Sequence, residues 1–258
     1  MTSPVTLITG ASGGIGEDLA GHFAKDGKDL VLVARSAEKL EAIAEALRKK
    51  HKVSVHVLPL DLAARDAAGR VTAALAEKGL HAEVLVNNAG YGAKGAFAEL
   101  EADYQLGMID LNIYALTALT RALVPGMIER GKGGLMNIAS TAAFLPGPRM
   151  AVYYASKAYV LSFSRALQYE LKDKGVSVTA VCPGPTATGF QDAARLTGAR
   201  LVTLSPLMSS KRVARIAYKA FKRKQPVVVT GLMNRLQAAS MAFTPARIKL
   251  GLVNFLQA

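Results

Sequence analysis

The sequence predicts an α/β fold: a single-domain, doubly wound, mostly parallel sheet of about seven strands with helices on both faces. Three observations carry this. Seven short runs rich in β-branched residues alternate with longer stretches of helical periodicity. The crossovers between the runs are long enough for parallel pairing, and right-handed crossovers place helices on both sides of one sheet. Hydrophobic residues make up 51% of the chain but aromatics only 6%, with no Trp, so the core is built from Ala, Val, Leu and Ile, as where helices cover a parallel sheet.

The first strand run spans residues 5–9, and the helical stretch after it puts Ile15, Leu19 and Phe23 on one face. Further runs cover 30–34, 53–58, 84–87, 135–139, 176–181 and 226–230. Between the fourth and fifth, Ile109, Ile113, Leu116, Thr120, Leu123 and Met127 trace a stripe that can cover a sheet face. Residues 184–210, with Pro185, Gly189, Gly198 and Pro206, form the least regular segment and read as a substrate loop or lid. Residues 231–258 are apolar and basic together, broken by Pro245. Three uses stay open for them: lining a substrate pocket, joining two subunits, or lying on a membrane surface. No linker or repeat interrupts the chain, so residues 1–258 are expected to form one domain.

The formal charge of +13 raises the question of nucleic acid. Lys211, Arg215 and Lys219, however, recur every four residues with Val213, Ile216, Ala217 and Ala220 between them, the pattern of a solvated helix face. No nucleic-acid partner is therefore expected, although the charge could steer an anionic cofactor or an acidic carrier. The lone Cys182 cannot form an internal disulfide, and His22, His51, His56 and His81 lack metal-ligand spacing. No signal-type leader is seen and no apolar stretch reaches the roughly 18 residues of a membrane span, so a reduced, cytoplasmic protein without a metal is expected.

Directly after the first strand comes Thr9-Gly10-Ala11-Ser12-Gly13-Gly14-Ile15-Gly16, which opens a helix. Strand, glycine turn and helix start bring backbone N–H groups and the positive helix end to one place, where a pyrophosphate can sit. Gly10, Gly14 and Gly16 permit the tight turn and the close approach of a ligand. A tight turn without a ligand is the alternative. At the end of the second run, Ala34-Arg35-Ser36 offers no carboxylate for a ribose hydroxyl but a guanidinium able to fork onto a phosphate, which favours NADP(H) unless Arg35 is an ordinary surface residue. The Ser12 hydroxyl can reach the same phosphate.

Tyr153-Tyr154-Ala155-Ser156-Lys157 sets a phenol and an ammonium one helical turn apart. A phenol is a poor acid–base group near neutrality, and the neighbouring cation is expected to lower its pKa. Tyr154, three residues from Lys157, is the competing phenol.

The Thr-Gly-x-x-x-Gly-x-Gly turn and these downstream motifs resemble the short-chain dehydrogenase/reductase family, over residues 5–230. The resemblance implies a Rossmann-type fold and a nicotinamide dinucleotide held by Gly10, Ser12, Gly14, Ile15 and Gly16. It further implies contacts from Asp61 and Leu62 near the adenine, and from Asn88, Ala89 and Gly90 after the fourth strand. Pro183, Gly184, Thr186 and Thr188 would meet the nicotinamide carboxamide. Tyr153 would be the general acid or base, Lys157 would also hold the nicotinamide ribose, Ser140 would bond the substrate oxygen, and Asn112 would hold a relay water. The substrate is expected to be a carbonyl or alcohol, with a lipid-like or acyl group suited to the apolar C-terminal stretch, and the protein a homodimer or homotetramer. A silent NADP(H)-binding sensor and a basic interaction protein are the competing readings.

Overall fold

The computed structural model describes residues 2–189 and 207–257. Its strands are β1 (Ser3–Thr9), β2 (Leu30–Ala34), β3 (Val55–Pro59), β4 (Leu80–Asn87), β5 (Gly133–Ile138), β6 (Val176–Cys182), β7 (Thr186–Ala187), β8 (Met208–Ser209) and β9 (Val227–Val229). Seven of them form one sheet in the order β3-β2-β1-β4-β5-β6-β9, every neighbouring pair parallel. Leu7, Ile8, Leu30, Leu32, Leu85 and Leu135 are fully buried, because both faces are covered; that is why these strands read as continuous apolar runs rather than alternating ones.

One face packs against α1 (Gly14–Lys25) and α2 (Ala37–His51), with Leu19, Phe23, Leu40 and Leu47 in its core. The other face receives Val71 and Leu75 of α3 (Ala67–Glu77), then Leu119, Leu123 and Met127 of α5 (Leu116–Glu129). Leu171, at the end of α6 (Ala151–Leu171), completes that second cluster. The basic helix α7 (Ser210–Lys222) buries Val213, Ala214 and Ala217 on the first face and leaves Lys211, Arg215 and Lys219 in solvent, as its periodicity requires. Its Tyr218 hydroxyl donates to Asp26 at 2.6 Å, tying it to the end of α1. Two further helices, α8 (Leu232–Phe243) and α9 (Ala246–Gln257), follow β9.

The structure corrects two expectations. The stripe expected from Ile109 to Met127 breaks at its start. Between α4 (Ala102–Ile109) and α5, residues Asp110–Ala115 form a π-helical turn, whose extra residue rotates Ile109 outward, to 40% exposure, and Asn112 inward. The continuous helix Ala102–Glu129 is, by length and composition, long and apolar enough to cross a membrane, where no such stretch was expected. Leu116, Leu119, Thr120, Leu123 and Met127 instead face the protein core. The irregular segment is fastened at its ends by the parallel pair β7–β8, while residues 190–206 lie outside the described residues.

Sheet order reverses direction between β1 and β4, so the loops after these strands diverge and leave a crevice at their carboxyl ends. The candidate site occupies that crevice.

Candidate active site

The glycine turn is held by Thr9, at the end of β1, and Asn88, directly after the neighbouring strand β4. The Thr9 hydroxyl donates to the Val86 carbonyl (3.2 Å) and accepts from the backbone N–H groups of Asn88 (2.9 Å) and Ala89 (3.0 Å). Asn88 Nδ2 donates to the carbonyls of Thr9 and Gly10, both at 3.0 Å. A Cβ on Gly10, whose φ is 62°, would stand 2.8 Å from Asn88 Nδ2, and one on Gly16 would collide with the Gly10 carbonyl. Asn88 is therefore a turn-holding residue as well as a cleft residue. Thr9 completes the clamp; the sequence displays it in the motif, but its buried bonding shows only in the fold. Gly13 caps α1 without any side-chain bond, so the first-turn amides carry no side-chain cap.

At the far end of the cleft, Arg35 is exposed, and Ser36 caps α2 by accepting from Lys39 N–H at 3.4 Å. That cap places Lys39 on the cleft lining beside Arg35, a second cation that the sequence reading missed. Asp61 accepts from Ala63 N–H at 3.0 Å, which closes a turn after β3 well before α3 begins, and Leu62 is buried next to it.

Where the cleft widens, the Tyr153 and Ser140 hydroxyls share a hydrogen bond. The Ser140 hydroxyl also accepts from Ala142 N–H at 3.1 Å and donates to the Pro183 carbonyl at 3.4 Å. Lys157 Nζ donates to the Ile138 carbonyl at 2.9 Å and lies 5.9 Å from the Tyr153 ring centroid. Burial pushes the Tyr153 phenol up to about 12, with the Ser140 bond opposing it, and pulls Lys157 down to about 8. The expectation that Lys157 would lower the phenol is thus corrected: desolvation is the largest cause of both shifts, and the Lys157 ammonium is not among the groups that move the phenol. Burial likewise raises the Cys182 thiol to about 12, which keeps it protonated in the core.

Asn112 occupies the π-helical turn with its side chain fully engaged. Its Oδ1 accepts from Tyr91 N–H (3.1 Å), and its Nδ2 donates to the Tyr91 carbonyl (2.9 Å) and to Ser156 Oγ (3.0 Å). Ser156 in turn donates to the Tyr153 carbonyl at 2.7 Å. Of the residues that the sequence singled out, all line the cleft except Gly16 and Asn112, which support its wall from behind. A buried chain from Thr120 through Asn87 and Asn137 to Ser164 crosses beneath the site, and the sequence reading missed it.

The sequence profile of the short chain dehydrogenase family matches residues 4–198. The chain belongs to this family. Among curated relatives, hydroxysteroid dehydrogenase-like protein 1 of Gallus gallus is 34% identical over 197 residues, 75% of this chain and 59% of that protein. The very-long-chain 3-oxoacyl-CoA reductase of Homo sapiens is 36% identical over 186 residues, 70% of this chain and 59% of the relative. The chain thus spans 59% of the length of these relatives. Among solved structures, a short-chain dehydrogenase from Sphingobium yanoikuyae in complex with NADPH superposes with a TM-score of 0.83 at 37% identity, covering 93% of each chain. The bulky-bulky ketone specific alcohol dehydrogenase from Comamonas testosteroni gives 0.77 at 34% identity, covering 94% of each.

This short-chain dehydrogenase has a cleft of about 1470 Å³ that runs from Arg35 to the C-terminal helices. Beyond Tyr153 its wall is formed by Tyr91, Leu145, Met150, Gln237, Met241 and Val253, the last three from α8 and α9. Of the three uses open for residues 231–258, lining the pocket is therefore one that the geometry supplies. On the opposite side, the Thr186 hydroxyl donates to the Gly184 carbonyl at 2.8 Å, and Thr188 Cγ2 would stand 3.2 Å from a Cβ on Gly14, so the segment after β6 folds over the glycine turn.

Proposed function

We propose that this short-chain dehydrogenase is an NADP(H)-dependent reductase of ketones or aldehydes, able to oxidise the matching alcohols, with bulky or lipid-like substrates. The observation that carries the reading is the meeting of Tyr153, Ser140 and Lys157 where the glycine-turn crevice opens into an apolar pocket. The crevice fits a dinucleotide: a cradle that a Cβ on Gly10 or Gly16 would fill, uncapped helix amides, and the Arg35 and Lys39 cations in place of a carboxylate. A bound nicotinamide supplies or accepts the hydride.

The chain's own residues handle the proton. Ser140 holds the carbonyl oxygen by a hydrogen bond, and Tyr153, neutral because burial raises it to about 12, gives its proton to that oxygen as charge develops there. Lys157, near 8, is mostly protonated at pH 7 and stabilises the phenolate left behind. Because the Asn112 side chain is committed to Tyr91 and Ser156, its role in this reading is to support the wall of the cleft beside Gly90, and its amide is not free to hold a relay water. A neutral phenol suits the reductive direction. Relatives named for 3-oxoacyl-CoA and for bulky ketones support a large carbonyl substrate, and the NADPH complex supports the cofactor. The protein is proposed to be cytoplasmic, in line with its lone cysteine, and by family likeness its working form is proposed to be a homodimer or homotetramer.

One relative, the inactive hydroxysteroid dehydrogenase-like protein 1 of Homo sapiens (35% identical over 187 residues), favours the sensor reading. Following NADPH absorbance with a panel of small and bulky ketones separates the two. Turnover of a bulky ketone is expected; tight NADPH binding without turnover of any carbonyl would leave the sensor.

A further inference from the structure

All 19 Asp and Glu residues lie before position 193, so residues 193–258 hold twelve Lys and Arg and no carboxylate side chain. The last two helices of this acid-free stretch are two-sided. Toward the cleft, α8 presents Asn234, Ala238 and Met241, and α9 presents Val253. Outside the cleft lining, Leu232, Met233 and Leu236 are 71%, 68% and 58% exposed, and Ile248, Leu250 and Phe255 are 60%, 40% and 52% exposed. These six are half of the exposed large hydrophobic side chains among the described residues. The exposed Arg235 and Arg247 and the half-buried Lys249 lie between them in sequence.

We propose that this outer face of α8 and α9 docks on the surface of an anionic lipid bilayer. Large apolar side chains interleaved with cations, on helices too short to span, match the chemistry of an interfacial helix, whose apolar groups enter the headgroup boundary while Lys and Arg meet lipid phosphates. With no carboxylate in the stretch, nothing there repels an anionic headgroup. A second copy of the chain would oppose two cationic, acid-free faces, which repel each other. A nucleic acid would use the cations but would leave the six apolar side chains in water. Because the inner faces of the same helices wall the cleft, a docked molecule holds its substrate pocket near the bilayer, where lipid-like carbonyl compounds concentrate. The docking face rests on exposure and charge alone and does not depend on the redox reading.

The test is flotation of the full chain with vesicles of equal parts phosphatidylglycerol and phosphatidylcholine, and with phosphatidylcholine alone. Binding to the anionic vesicles is expected, together with weakening in 0.5 M NaCl. The triple variant Leu232→Glu, Leu236→Glu, Ile248→Glu is expected to bind them at least about tenfold less. None of these residues lines the cleft, so NADPH binding by the variant, measured by fluorescence, checks that it is folded. Equal binding to neutral and anionic vesicles, no binding to either, or undiminished binding of the folded variant overturns the proposal. A wild-type dimer that the variant reduces to monomer, without vesicle binding, assigns the face to a second copy instead.

Discussion

Tyr153 and Lys157 are both withdrawn from water, and for each the penalty falls on its charged form, driving the phenol toward neutrality and the ammonium toward losing its proton. These shifts carry opposite signs for stability. Lys157 titrates near 8 when folded and at 10.5 when unfolded, so between those values the unfolded chain binds more protons and stability from this group rises with pH. Tyr153 titrates near 12 folded and 10.0 unfolded, so above pH 10 the folded chain holds the extra proton and stability from this group falls. Replacing Lys157 by Met is accordingly expected to stabilise the cofactor-free protein at pH 7 by up to about 2–3 kcal/mol, less as pH approaches 10. Urea denaturation of both proteins at pH 7 and pH 9.5 measures this; a gap that stays constant with pH would place the Lys157 shift elsewhere. The same two residues also separate chemistry from binding. Tyr153→Phe is expected to lose at least about 100-fold in turnover while keeping NADPH affinity. Tyr154→Phe, whose ring packs against Gly147 in the cluster beside the cleft, keeps its activity. Loss in Tyr154→Phe with activity retained in Tyr153→Phe reverses the assignment.

The π-helical turn at Asp110–Ala115 does for the site what a regular helix would not, since its extra residue turns the Asn112 amide onto both backbone groups of Tyr91. Gly90 is packed against this arrangement. A Cβ there would stand 2.8 Å from Asn112 Oδ1 and 3.5 Å from Lys157 Nζ. Gly90→Ala is expected to shift both groups and lower kcat about ten- to hundredfold, with a smaller change in NADPH affinity. An unchanged kcat would show that Asn112 has room to move. The sequence could not display this turn, because apolar periodicity records which residues are buried and not a change in hydrogen-bond register. Ile109 accordingly read as part of a stripe it does not join. The strands of the main sheet were legible as apolar runs, unbroken in β1 and β2 where both faces are covered. β7 and β8, two residues each, are too short to leave a pattern. The glycine turn and the Tyr153–Lys157 pair were legible from their spacing. Lys39 was not, because it enters the cleft only through the Ser36 cap, and the Asn87–Asn137 chain required knowing that β4 and β5 are neighbours.

Across the whole molecule the cleft joins two chemically different ends, a cationic one at Arg35 and Lys39 and an apolar one at α8 and α9. The cationic end is the one that we propose selects the nucleotide. On the proposed NADP(H) reading, Arg35→Glu replaces the partner of the adenosine phosphate by a carboxylate that favours a ribose hydroxyl, and is expected to shift the kcat/KM ratio of NADPH to NADH about 10- to 100-fold toward NADH. Retained NADPH preference would remove Arg35 from the adenosine contact. The apolar end is the one that we propose limits substrate size. At about 1470 Å³ the cleft exceeds the roughly 300–1,000 Å³ of an ordinary small-molecule site, as a space shared by a dinucleotide and a second molecule must. Met241 and Val253 wall the substrate end, so Met241→Trp adds volume where a bulky ketone would lie and far from where a small one reacts. Its kcat/KM for a bulky aryl ketone is expected to fall at least about tenfold, while that for a three- or four-carbon ketone changes by less than about twofold. If both fall alike, the substitution has disturbed Tyr153 or the fold. If neither falls, the substrate does not reach α8, and the C-terminal helices act only through their outer face.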